Sequence, residues 1–572
     1  MDIPSKYSSK TKEELIKIID ELEIDIKNTK KYGLVWDKEN TKEKVVLDCE
    51  NNIPILKFDD SKKIVLGTNN NVLIEGDNFH ALTSLSFVLK ESIDVIYIDP
   101  PYNTGNKDFI YNDKFIDEED GYRHSKWLSF MEKRLRLARE LLKDDGIIFI
   151  SIDDNEQANL KLLCNQIFNE HNFIQMFLWN KNSGGTSLSK FTRSDYEYVM
   201  CYSKNLNTIT HEFLGKFSEG MGDSSLINMP NKFSRLFFPK NSIKFISINN
   251  GLIKKGKYSD LELYEDLKIE NHYNAVNVNI SCKRKWSQEK LFEELKNGTM
   301  ILSKTDNLRL RYIKNNKGSI IKPTKSISNK DKVGFTVSGS SELNAIINNS
   351  FSFPKPVSLL KYLVNMCSYW NNTALILDFF AGSGTTGQAV LELNKEDGGD
   401  RRFILCTNNE NNICTNVTYP RLKTVITGIR EDGSKYSEGI PSNLYYLKTD
   451  FVEDCNNKDQ AKYNLVEKVD SLLCILEDIY ERKECNDYSS HYSSIDNNKH
   501  LFIYNEYYNK EKFDEFMSRV NKEKGEKIVY IFSSDNEVDE SLNKYKNIVF
   551  KSIPSKIYEI YKEIAEGIKR EE

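Results

Sequence analysis

Ile93-Asp94-Val95-Ile96-Tyr97-Ile98 runs directly into Asp99-Pro100-Pro101-Tyr102. Five of the first six residues are apolar, most of them β-branched, with no polar alternation. Such a run reads as a strand buried on both faces, the signature of a parallel sheet. The prolines end it, because neither can supply a ladder N–H. The tetrapeptide therefore stands at the carboxyl end of a parallel strand, the edge at which open α/β sheets carry their sites. A carboxylate, two rigid prolines and an aromatic ring are suited to gripping a planar exocyclic amine while its nitrogen stays exposed to an electrophile. A Pro-Pro turn with a capping Asp is the plain alternative, and a motif far downstream bears on the choice.

Strand–helix alternation surrounds this stretch. A strand over 72–77 turns into a helix over 79–89, and the spacing over 127–143 predicts an amphipathic helix ending at Asp144-Asp145-Gly146. Gly146-Ile147-Ile148-Phe149-Ile150-Ser151-Ile152 is a second buried strand, followed by strands over 173–179 and 196–202. From about 206 to 345 the pattern breaks into short polar segments. It returns as a helix over 358–367, a strand over 374–378, a helix over 385–393 and a strand over 402–407. Beyond about 451, strands over 501–504, 527–532 and 547–550 with helices near 511–520 and 555–568 make a small domain. Residues 10–29 have helical spacing and mixed charge. The expected fold class is α/β with a mostly parallel sheet. It divides as an N-terminal helical arm (1–65), a first half of the sheet domain (66–205), an insertion (206–345), a second half (346–450) and a C-terminal α/β domain (451–572).

The chain has 572 residues and ten cysteines, with no CxxC pair and no zinc-like spacing. The expectation is a reduced, cytoplasmic protein without a metal site. No apolar run reaches the length of a membrane span, and Met1-Asp2-Ile3-Pro4-Ser5-Lys6 lacks a signal-peptide pattern. The net charge of −5 is uneven: residues 231–330 hold 21 Lys/Arg against 9 Asp/Glu, so that block carries +12 and the remainder −17. A basic block in an acidic chain points to a polyanion, with a solvated lysine-rich surface as the alternative.

The second motif is Asp378-Phe379-Phe380-Ala381-Gly382-Ser383-Gly384-Thr385-Thr386, a strand, a glycine turn and a helix start. Its glycines permit close backbone approach, and the first helical N–H groups favour a carboxylate or phosphate. No P-loop occurs, so ATP has no evident cradle. Together the two motifs resemble the S-adenosylmethionine-dependent amino-methyltransferases of DNA. Their F-x-G-x-G motif is Phe380-Ala381-Gly382-Ser383-Gly384 and their D/N/S-P-P-Y motif is Asp99-Pro100-Pro101-Tyr102. The catalytic motif precedes an insert and then the cofactor motif, which resembles the circularly permuted beta class. Tyr32-Gly33-Leu34-Val35-Trp36, Asn103-Thr104-Gly105, Lys107-Asp108-Phe109 and Phe353-Pro354-Lys355-Pro356-Val357 are similar to the modification (Mod) subunits of type III restriction systems.

The resemblance implies a Rossmann-like methyltransferase sheet with an inserted target recognition domain. It implies direct displacement by adenine N6 on the sulfonium methyl. Asp99 and the Pro100 carbonyl would accept the two amine hydrogens, with Pro101 shaping the turn and Tyr102 stacking on a flipped base. For the cofactor it implies Gly382, Ser383, Gly384 and Thr385 at the methionine end, Asp378 among the cofactor-binding residues, Phe380 packed against the cofactor, Asp77 facing its adenine and Lys355 approaching its methionine end. Asp77 is also placed to cap the helix from residue 79. Glu410 is the choice for the ribose, with Asn408 and Asn409 as alternatives. Trp127 reads as core and His124 as a local hydrogen-bonding residue. In the insert, Lys283, Arg284, Lys285, Arg309, Arg311, Lys314 and Lys317 are candidates for DNA contact.

By the same resemblance, Asp rather than Ser at the first motif position implies adenine N6 over cytosine N4, and the lack of any Pro-Cys dipeptide leaves cytosine C5 chemistry without a nucleophile. The expected partner is double-stranded DNA. A homodimer and a separate helicase–nuclease restriction subunit are open, and so is an orphan enzyme used for epigenetic marking. RNA or protein amino-methylation and an inactive DNA-binding scaffold are the competing classes.

Overall fold

The computed structural model describes Leu34, Trp36 and residues 43–559, apart from 113, 118, 183, 185–190, 219–222, 259–260, 305–307, 314–318, 348–350, 453–457, 507–508, 534–541, 543–544 and 546. The helix expected over 10–29, Lys314, Lys317 and the end of the helix expected over 555–568 lie outside the described residues.

Eleven strands form one sheet: β1 (Pro54–Phe58), β2 (Ile64–Val65), β3 (Asn70–Glu75), β4 (Ile93–Ile98), β5 (Leu142–Ile152), β6 (Phe173–Asn180), β7 (Tyr196–Ser203), β8 (Ser326–Ile327), β9 (Leu375–Asp378), β10 (Arg402–Thr407) and β11 (Asn443–Phe451). Their order is β1-β11-β3-β10-β9-β4-β5-β7-β6-β8, with β2 beside β11. Neighbours from β11 to β5 are all parallel. β7 runs against β5 and β6, and β1 against β11. The parallel centre matches its composition, since β4 and residues 146–152 of β5 are mostly apolar and buried on both faces.

β4 and β9, far apart in the chain, are neighbours, with Ile376 opposite Val95 and Leu377 opposite Ile96. From β4 the sheet continues to β5 on one side, and from β9 to β10 on the other. The strand order thus reverses between β9 and β4, and at such a switch point a crevice opens beyond the carboxyl ends of the strands.

The helices that frame this edge are α1 (Lys44–Asn51), α2 (Asn78–Ser86), α3 (Arg123–Leu141), α4 (Thr336–Ile346), α5 (Val357–Ser368), α6 (Thr385–Asp397) and α7 (Tyr419–Thr427). α3 buries Trp127, Leu128, Met131, Leu135, Ala138 and Leu141, the helical spacing legible in the sequence.

Glu212–Thr324 is a compact unit of its own. It holds a seven-stranded and a four-stranded sheet of short strands and a separate core that includes Leu236, Phe238, Phe245, Ile280 and Ile301. It is narrower than the expected 206–345, because β8 pairs with β6 in the central sheet and α4 belongs to the same unit as that sheet. The C-terminal region carries five strands: Glu481–Asn486, Ser489–Ser493, Lys499–Asn505, Glu526–Phe532 and Ile548–Lys551. Three of these were expected, and the polar first hairpin was not. Leu501, Ile503 and Ile528 share one buried cluster with Ile55 and Leu447 of the central sheet, so this region is continuous with the sheet domain.

Candidate active site

Asp99 leaves β4 at the switch point, and four polar side chains gather around it. The Lys355 ammonium donates to both carboxylate oxygens, at 2.8 and 3.0 Å, and to the Tyr102 hydroxyl oxygen at 2.9 Å. The Tyr102 hydroxyl lies 2.9 Å from Asp99 Oδ1, to which it donates, and 3.1 Å from Glu197 Oε2. Glu197 is 3.4 Å from Lys355 Nζ and 3.3 Å from Lys181 Nζ.

Topology explains the gathering. β7 is antiparallel, so its first residues stand at the carboxyl edge of the parallel strands, with Tyr198 opposite Ile152. β6 ends at that same edge, bringing Trp179 opposite Glu197 and Lys181 just beyond. Lys355 precedes α5, which returns to β9, and so it too begins at this edge. The turn itself is held by α3, where Trp127, fully buried, donates from Nε1 to the Pro101 carbonyl at 2.7 Å. Trp127 is core, as its helical spacing indicates. His124 Nδ1 meets buried Glu156 at 2.6 Å, a local pairing that also engages Asn103.

Burial pulls the Lys355 ammonium down, but Asp99 and Glu197 outweigh it and raise its pKa, so Lys355 is charged. Burial also pushes Glu197 up, yet Lys355 and Lys181 hold it below its ordinary value. Burial, with Asp99 and Glu197 beside it, raises the Tyr102 phenol far above its usual range, which leaves a neutral O–H donor. The site is thus a half-buried set of two carboxylates and two ammonium groups around a phenol, with Lys355 at its most buried point.

A cavity of about 560 Å³ lies next to the turn. Pro101 lines it from the β4 loop, Phe379 and Phe380 from the β9 loop, Asp77 and Asn78 from the β3 loop, and Asn408 and Glu410 from the β10 loop. The loops at 99–102 and 378–386 therefore share one cleft. Asp77 both lines it and caps α2, accepting from the Phe79 N–H at 2.7 Å, and Arg134 approaches to 3.5 Å. Glu410 and Asn408 face the cavity, whereas Asn409 spends its side-chain oxygen on the Thr415 N–H and hydroxyl at 3.1 Å each. Asp99 and Lys355 are not in its lining.

The glycine turn lies at the start of α6. Gly384 holds φ +77° at the N-cap, a left-handed conformation that favours glycine, and no side chain caps the helix. Asp378, fully buried, accepts from the Thr386 hydroxyl at 2.5 Å and the Phe380 N–H at 3.0 Å, which ties the strand end to the helix start. Beneath the turn, buried Arg421 of α7 donates to the Ser383 and Thr385 hydroxyl oxygens at 3.1 and 2.7 Å. Burial lowers its pKa to about 10. Arg421, Glu197 and Lys181 escaped the sequence reading.

In Glu212–Thr324 the basic candidates divide. Arg311 is ion-paired with Asp223, which also takes Lys304 at 3.0 Å. Arg284 donates to the Ser234 hydroxyl at 2.6 Å and Lys285 to that of Tyr312 at 2.9 Å. Lys283 lies 5.8 Å over the Phe233 ring, and Arg309 is exposed.

The chain is similar to several known proteins. The Mod subunit of the type III restriction-modification enzyme StyLTI of Salmonella typhimurium is 33% identical over 59% of this chain and 52% of its own length. The type II methyltransferase M.KpnI of Klebsiella pneumoniae is 32% identical over 66% of this chain and 88% of its own. The chain spans little more than half the length of the Mod subunits it matches. Among solved structures, PvuII DNA methyltransferase (cytosine-N4-specific) aligns over 63% of this chain and 94% of its own, at 12% identity and a TM-score of 0.31. A family described as DNA methylase matches residues 93–418. That stretch runs from the first residue of β4 through the Asp99 loop and past the glycine turn, so it takes in both loops of the site, and the chain belongs to this DNA methylase family.

Proposed function

We propose that this chain transfers a methyl group from S-adenosylmethionine to N6 of adenine flipped out of duplex DNA. The observation that carries the reading is the meeting of two loops. Asp99 and the glycine turn leave adjacent parallel strands, and Pro101 and Phe380 line one cavity. That cavity fits the cofactor's nucleoside: a carboxylate at Asp77, an aromatic ring at Phe380 and an acid at Glu410 surround it. Ser383, Gly384 and Thr385, at an uncapped helix start, suit its carboxylate. S-Adenosylmethionine, when bound, supplies the electrophilic methyl group.

The protein's part is to make a poor nucleophile attack. The lone pair of an exocyclic amine is delocalised into the ring. Asp99 and the Pro100 carbonyl accept its two hydrogens, which favours a pyramidal nitrogen with its lone pair free. The Asp99 carboxylate also stabilises the positive charge that forms on that nitrogen. Tyr102 offers its ring to the base, and residues 212–324 act as the target recognition domain. The chain reads as the circularly permuted class, working in the cytoplasm as the Mod-like subunit of a type III-like system with a separate restriction subunit. A stand-alone modification enzyme is the second reading, favoured by the 88% coverage of M.KpnI.

Tritiated methyl transfer to unmethylated duplex DNA, RNA and protein tests this. Label is expected in DNA, at adenine N6. Asp99→Ala is expected to lower kcat by about 100-fold or more, while calorimetry shows cofactor binding retained. Label in RNA or protein alone would overturn the substrate class. Copurification of a helicase–nuclease chain would favour the type III reading over the stand-alone one.

A further inference from the structure

Lys355 occupies the place the amine needs. Its ammonium covers both oxygens of Asp99, and the Tyr102 hydroxyl uses Oδ1 as well. Of the four lone-pair directions of the carboxylate only one is left, on Oδ2 beside that ammonium, so an adenine amine is crowded out of a good hydrogen bond to Asp99 until the ammonium moves. It must also move for electrostatic reasons, since a cation facing the attacking nitrogen opposes the positive charge that develops there. Yet Lys355 is 8% exposed, and an ammonium stranded without a carboxylate in such a place is strongly destabilising. It therefore needs a second carboxylate within reach.

Glu197 is that carboxylate. Its Oε2 is 3.4 Å from Lys355 Nζ, so a shift of roughly 0.6 Å makes a full charge-assisted hydrogen bond. Glu197 is itself largely buried, is anchored from the far side by Lys181 and touches Tyr102. We infer that Glu197 is a positioning residue for base insertion: it receives the Lys355 ammonium from Asp99 as the adenine amine arrives, and Lys355 keeps Asp99 closed while no base is present. The inference rests on the reading of Asp99 as the amine acceptor. It gives Lys355 a role at the base rather than at the methionine end of the cofactor.

Three variants test it on the full chain: Glu197→Gln, Lys355→Met and the double variant. Each is assayed for kcat and for KM of unmethylated genomic DNA and of S-adenosylmethionine. Glu197→Gln holds Lys355 on Asp99 and is expected to raise the DNA KM on the order of tenfold, with the cofactor KM little changed. Lys355→Met opens Asp99 and is expected to lower the DNA KM. The double variant is expected to follow Lys355→Met, because Glu197 then has nothing to receive. That recovery also shows that Glu197→Gln folds. The handover is overturned if Glu197→Gln costs the same in both backgrounds, if it acts on the cofactor KM, or if Lys355→Met raises the DNA KM. A wild-type chain that methylates no DNA defeats instead the methyltransferase reading beneath it.

Discussion

Asp378 shows how one side chain links the sheet to the site and to pH. It ends β9 fully buried, with one oxygen on the Thr386 hydroxyl and the other on the Phe380 N–H. Burial pushes its pKa from 3.8 up to about 7, although both hydrogen bonds pull the other way. Between those values the folded protein keeps a proton that the unfolded chain has lost. The native state binds more protons there, so this group's contribution to stability falls as pH rises through that window and is gone above about 7. Asp378→Asn has no charge to bury. Scanning calorimetry is expected to show the variant gaining in Tm over the wild type on going from about pH 5 to about pH 8. An equal Tm difference at both pH values would refute the assignment. At this scale the sequence reading singled out Asp99, Asp77, Phe380 and the glycine turn, because each follows a strand and carries a motif, and the structure gathers their loops at one edge of the sheet. Glu197 was hidden, since a lone acid near the start of a strand looks like an exposed position. Only the antiparallel pairing of β7 with β5 brings it to Asp99, and that pairing is non-local.

α4 bears on the carboxyl edge of the sheet through its backbone. A methyl group added at Gly339 would lie 2.2 Å from the Pro354 carbonyl oxygen and 2.8 Å from the Lys355 carbonyl carbon. Those are main-chain atoms, so they cannot swing aside as a side-chain tip would. Helix propensity alone favours alanine over glycine by about 1 kcal/mol. A slack contact would therefore make Gly339→Ala stabilising. The close contact is expected to reverse the sign, lowering Tm and moving Lys355 from Asp99, with kcat/KM for DNA changed by about tenfold or more. A raised Tm with unchanged kinetics would show that α4 does not set the position of Lys355. Elements of this kind were legible where the hydrophobic signal was strong, as a helical period in α3 and as unbroken apolar runs in β4 and β5. β1, β2 and β8 were not, being short edge strands whose register comes from their partners: β11 for the first two and β6 for the last. The hairpin of Glu481–Asn486 and Ser489–Ser493 was missed for a similar reason, because its residues are mostly polar and its pairing partner is the strand Lys499–Asn505.

Across the whole molecule, charge is divided between the two compact units. Glu212–Thr324 holds 20 Lys/Arg and 12 Asp/Glu, a balance of +8, while the rest of the chain carries −13. The composition break in the sequence foretold this division, though not its edges. If the basic unit tracks the DNA backbone, binding weakens with salt through counterion release, by about 0.9 in log–log slope for each phosphate neutralised. The count of basic residues overstates the contacts, because some of the charge is already spent within the unit. Arg311 is committed to Asp223, with Lys304 on the same carboxylate. Among the described residues Lys283 makes no ion pair and lies instead over Phe233. In the full chain, Lys283→Ala is thus expected to shrink the slope of log Kd against log salt by about 0.9. Arg311→Ala is expected to leave the slope nearly unchanged, with Lys304 still balancing Asp223. Fluorescence anisotropy on one duplex across a salt series reads both. Equal slope changes for the two variants would mean that the Asp223 pair opens on DNA and that Arg311 belongs to the phosphate-binding set after all.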